Sequence, residues 1–179
     1  RSAVEATGKA VDIETDVIEG RPGTALAKTW WNARMICVGS IGIGRYARSI
    51  LGSTVTELAK EAHCPVAVIR PSAANHDKKM SWIVVAATRR LGHDRVIKRA
   101  MEEAALRGAP VLLLGDKKAD GERAVDRVAA EWRQRYPGVH IFPIAKSADV
   151  AHFLKKRDER IQLAVIGAAD VDELAEIVG

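Results

Sequence analysis

The sequence predicts an α/β protein with a Rossmann-like, doubly wound parallel sheet in three α/β/α layers. Short apolar runs alternate with longer amphipathic stretches, the order expected of βαβ units. The runs are continuously apolar, as in Pro110-Val111-Leu112-Leu113-Leu114, which is the composition of parallel strands covered on both faces. Glycine and proline sit between the periods and mark where one element gives way to the next.

In chain order, a strand is expected at about 12–18 and a helix at about 22–33, then a strand at 34–39 from the run Met35-Ile36-Cys37-Val38. A helix at 53–63 follows from the spacing of Val55, Leu58 and Ala59. Thr54-Val55-Thr56-Glu57 reads as a capping box in which Glu57 reaches back to the cap amide. Strands are expected at 65–70, 82–88 and 110–115, with a helix at 93–107 ended by Gly108. A helix at 120–135 stops before Pro137-Gly138, and a strand at 139–145, a helix at 147–158, a strand at 161–167 and a helix at 170–178 complete the pattern.

The segment with the most chemistry is Val38-Gly39-Ser40-Ile41-Gly42 followed by Gly52-Ser53-Thr54, spaced as G-x2-G-x9-G-S/T. It joins a strand to a helix. Glycines let an anion approach the backbone amides, and the free N–H groups and dipole of a helix start favour negative charge. This pattern suits a cradle for a di- or triphosphate. The same residues also read as an ordinary strand end and helix start, because such turn chemistry is common.

The run from Ile36 through Gly39, Ser40, Leu51, Gly52, Ser53 and Thr54 to His63-Cys64-Pro65-Val66-Ala67-Val68-Ile69-Arg70-Pro71 resembles the universal stress protein family. The resemblance implies that Gly39 and Gly42 lie against the ribose and phosphates of ATP, with or without Mg2+. Gly52, Ser53 and Thr54 would hold the phosphates, and Val38 would sit near the nucleoside. A family aspartate at the end of the first strand, on the adenine side, has no counterpart upstream of residue 36.

Residues 17–39 can be laid on residues 145–167 at a constant offset of 128, pairing Leu26 with Leu154, Met35 with Leu163, Val38 with Ile166 and Gly39 with Gly167. The expectation is therefore a tandem repeat of universal stress protein units. Residues 1–71 would be the C-terminal half of a first unit that carries the phosphate loop, and 72–81 a polar linker. Residues 82–179 would be a second unit that lacks its last helix and strand. In that second unit Trp82 to Thr88 resembles the family's first strand, but Thr88 stands where the nucleotide aspartate is expected and Asp170 where a glycine is expected. A carboxylate in a phosphate site is unfavourable, so the second site is expected to be degenerate.

A net charge of +5 raises the question of nucleic acid. The basic residues are interleaved with acids, aromatics are few, and the four Trp are expected at packing positions, so no stacking platform is expected. Two cysteines, Cys37 in a buried strand and Cys64 before Pro65, form no CxxC pair and suggest a reducing compartment. No metal-ligand spacing occurs, and no apolar run approaches the ~20 residues that span a bilayer. A Walker loop, a Mg2+-holding carboxylate pair and an identifiable general base near residues 39–54 are all lacking, so binding is expected rather than catalysis.

The expected partners are an adenine nucleotide and a second copy or a second unit paired through edge strands, with no nucleic acid or membrane, in the cytoplasm. Two other readings compete. Gly42-Ile43-Gly44-Arg45-Tyr46-Ala47 fits the G-x-G-x-x-A of a dinucleotide-binding oxidoreductase. Alternatively, both sites are vestigial and the protein is an interaction scaffold.

Overall fold

The computed structural model describes residues 8, 10–39, 52–69, 81–87, 93–115, 120–145, 153, 161–168 and 171. These form two parallel sheets, one of two strands and one of four. Each follows from the residues that build it.

The first sheet begins with helix α1, Pro22–Thr29. Pro22 stands at the first helical position, where its missing N–H costs no hydrogen bond. Strand β1, Ile36–Gly39, then pairs in parallel with β2, Val66–Ile69, through helix α2, Ser53–Glu61. Ile36 and Val38 on β1 and Val66 on β2 point to one face. There they meet Ala27 and Leu26 of α1 and Leu58 of α2, so both helices cover the same side of the sheet.

Strand β3, Trp82–Ala86, starts the second sheet, and helix α3, His93–Arg107, follows it. Ile97, Ala100, Met101 and Ala104 on α3 are buried at the i, i+3, i+4, i+7 spacing of one helical face. Gly108 ends the helix at φ 60°, and the Ala109 N–H donates to the Ala104 carbonyl at 3.0 Å, the bond that closes a left-handed glycine cap. Strand β4, Val111–Leu114, helix α4, Gly121–Arg135, strand β5, Ile141–Ile144, and strand β6, Ile161–Val165, complete the order.

All pairings are parallel and the spatial order is β5-β4-β3-β6. The chain moves outward from β3 to β5 and then returns to the other side of β3, which puts a topological switch point between β3 and β6. Ile83, Val85, Val111, Leu113 and Ile141 face α3 and α4 across the main core, with Met101, Val125, Ala129 and Trp132. On the opposite face Val84 and Leu114 are buried, with Phe153 packed against that cluster. Trp82 and Phe142 meet there edge to face at 5.1 Å. The helices expected at 147–158 and 170–178, which would supply the third layer, lie largely outside the described residues.

Among the described residues β5 is an edge of this sheet. The carbonyls of His140 and Ile144 accept from Val111 and Gly115 of β4. Backbone polar groups alternate sides along a strand, so the nitrogen of Pro143 faces outward, where proline's missing N–H is tolerated.

Three expectations are corrected. Residues 12–18 form no strand. They run with Val17 at 94% exposure, because an alternating pattern makes a strand only where a partner accepts its backbone groups. Cys37 is exposed rather than buried, because α1 and α2 cover only the face that carries Ile36 and Val38. Of the tryptophans, Trp132 is buried in the core, but Trp30 and Trp31 at the end of α1 are exposed at 39% and 67%.

Candidate functional site

The elements that carry the G-x2-G-x9-G-S/T spacing follow one another as strand and then helix, the order that chemistry at a strand end requires. Gly39 is the last residue of β1, and Val38 before it is half-buried. In open parallel sheets, ligands bind outside the carboxyl ends of strands. Gly39 lies at that end. Gly42 falls outside the described residues.

Gly52 caps α2 with extended backbone, φ −73° and ψ 163°, and no side chain accepts from the first turn. The Gly52 carbonyl accepts the Thr56 N–H at 3.1 Å and the Thr56 hydroxyl at 3.3 Å. The amides of Ser53, Thr54 and Val55 precede the first intrahelical bond and point out of the helix end. Ser53 is exposed and Thr54 half-buried. The result is a set of N–H donors with a hydroxyl beside them, which is the donor chemistry that holds a phosphate group.

The capping box is corrected. The helix starts at Ser53, one residue before the expected Thr54 cap, and the Glu57 carboxylate turns sideways to α1. Thr24 Oγ1 donates to Glu57 Oε1 at 2.9 Å, and Arg21 Nη2 lies 3.8 Å from the same oxygen. Glu57 is one helical turn from Ser53, so an uncompensated carboxylate there would oppose an anion at the helix start. Arg21 and Thr24 offset it. Gly23 makes the approach possible: a Cβ there would stand 2.8 Å from both Cβ and Cγ of Glu57. Sequence reasoning missed this contact because Thr24 and Glu57 are 33 residues apart. The local signal was only Gly20-Arg21-Pro22-Gly23, a helix start.

In the second sheet, Gly167 lies just past the carboxyl end of β6 at the switch point and is half-buried. Thr88 and Asp170, on which the expected degeneracy rests, lie outside the described residues. Among the described residues no three His, Cys, Asp or Glu side chains gather as metal ligands.

The universal stress protein family model matches residues 1–70, the segment that holds every candidate site residue. Universal stress protein Rv2624c of Mycobacterium tuberculosis is 48% identical over 185 residues, covering 100% of this chain and 67% of that protein. The chain belongs to the universal stress protein family. Universal stress protein Rv3134c of the same organism is 35% identical over 182 residues, covering 96% of this chain and 67% of that protein. The crystal structure of a universal stress protein from Archaeoglobus fulgidus superposes with a TM-score of 0.66 at 20% identity, over 88% of this chain and 57% of that one. That likeness supports the α/β fold with parallel sheets. The chain thus spans about two thirds of the length of these mycobacterial family members.

Proposed function

We propose that this protein is an adenine-nucleotide-binding member of the family, a regulatory or signalling module of the stress response that binds ATP rather than turning it over. The observation that carries the reading is the pairing of Gly39 at the carboxyl end of β1 with an α2 start capped by Gly52, whose first-turn amides meet no side-chain cap. Val38 would face the nucleoside, and Gly39 and Gly42 the ribose and phosphates. Gly52, Ser53 and Thr54 would hold the phosphates, joined or not by Mg2+.

The same proposal includes the tandem organisation: a partial first unit at 1–71, a linker at 72–81 and a second unit at 82–179 with a degenerate site. Its support is the repeat at constant offset and the switch point at β3 and β6 in the second sheet. Pairing with another unit or copy would use an edge strand. No helix among the described residues is long and apolar enough to cross a membrane, and two free thiols, one of them exposed, suit the reducing cytoplasm.

Calorimetric titration with ATP tests the reading, using Gly52→Asp as the informative variant. The Gly52 backbone is one that any residue adopts, and aspartate is a favoured helix cap. The substitution therefore keeps the helix while its carboxylate takes the amides and repels phosphate. Saturable binding in the wild type, lost in Gly52→Asp and weakened roughly fivefold in Ser53→Ala by loss of one hydrogen bond, is the expected result. Equal binding by all three proteins would reject the site.

A further inference from the structure

The turn that leads from α1 into β1 exposes three large apolar side chains within six residues. Trp30 caps α1 and is 39% exposed, Trp31 is 67% exposed and Met35 39% exposed. The Ala33 N–H donates to the Trp30 carbonyl at 3.0 Å, so a closed turn presents them. Lys28 in the last turn of α1 and Arg34 flank the tryptophans, and both are exposed. From residue 20 to residue 56 the sequence has five Lys or Arg and no Asp or Glu. Outside that span basic and acidic residues are equal in number, so the whole formal excess of +5 resides in it.

We infer that this turn is a contact surface for an anionic lipid headgroup layer, with Trp30, Trp31 and Met35 entering the interface and Lys28 and Arg34 meeting the headgroup charge. Tryptophan is the residue type enriched at membrane–water interfaces. Long basic side chains lay their stems along apolar surface while their charged ends stay in water. Size separates a lipid surface from a protein partner. At these exposures the three side chains offer roughly 300 Å², well below the ~800 Å² per partner of a stable protein interface. A lipid surface requires only a few inserted side chains supported by charge. The expectation of no membrane rested on the lack of a spanning segment, and a surface contact needs none. The inference is independent of the nucleotide site.

Sedimentation with vesicles that mix phosphatidylglycerol into phosphatidylcholine tests it, read together with tryptophan emission. The protein should pellet with the mixed vesicles and not with phosphatidylcholine alone, with a blue shift in emission. Trp31→Ser should lose the shift and at least tenfold in binding, and Trp31→Phe should keep most of it. Lys28→Ala/Arg34→Ala should lose roughly thirtyfold, as expected for two basic groups near a charged surface. These side chains are exposed, so unchanged circular dichroism and melting will confirm that the variants fold. Absence of binding, or equal binding by Trp31→Ser, overturns the proposal. So does self-association of the wild type that Trp31→Ser abolishes, which would assign the turn to a second copy.

Discussion

Gly23 and Gly115 each mark a place where two elements come too close for a side chain. A Cβ at Gly115 would stand 2.6 Å from Cβ of Val125, where α4 crosses the end of β4. At Gly23 the obstacle is Glu57. Alanine at position 23 would gain helix propensity, but Glu57 would have to leave Thr24, so Gly23→Ala should destabilise the protein by about 1 to 2 kcal/mol. Urea denaturation will measure it. Truncating Glu57 as well should rescue only part of the loss, because its Cβ remains. At this scale the sequence was legible where a residue's role is local, as at Gly108 and Pro22. It was misread where the partner is distant: Glu57 looked like a capping residue because the four-residue pattern around it fits one, and nothing nearby pointed to Thr24.

The elements differ in how firmly they are held. Among the described residues, Leu58 is fully buried in a cluster whose other buried members are Ala27 and Ile36, whereas Met101 is one of fourteen buried residues in its cluster. Leu58→Ala and Met101→Ala should each cost about 2 to 5 kcal/mol, but β1 and β2 have less around them. Hydrogen exchange is expected to show the β1 and β2 amides exchanging before those of β3 and β4; the reverse order would mean that the small cluster is supported by more than it contains. Element type was largely legible because apolar runs and helical spacing are local properties. Most boundaries shifted by one or two residues, as at Ser53–Glu61 against 53–63, but α1 ends at Thr29 where 33 was expected. Residues 12–18 failed for a physical reason, since strand formation depends on a neighbour that no local pattern encodes.

For the molecule as a whole, alternation implied a parallel sheet but not the order β5-β4-β3-β6, which depends on where each crossover returns. The candidate site was visible as a spacing; its electrostatic setting was not, because Arg21 and Glu57 meet only in the fold. Charge segregation was present in the sequence but hidden by a total that averages over the chain. Its consequence is measurable: affinity for ATP should fall as salt rises, since the acid-free span from 20 to 56 contains the proposed site and exposed charges are screened within about 10 Å at 0.1 M salt. Titrations at two ionic strengths will check this, and salt-independent binding would argue against a charge-assisted site.

Pro143 blunts one margin of the four-stranded sheet. A further strand laid beside β5 would find no donor at its centre. An open-ended fibre needs two complementary edges on every subunit. Polymerisation through the β5 margin is therefore disfavoured, and Pro143→Val, which restores the donor, should raise self-association in sedimentation equilibrium if this margin is what holds it down.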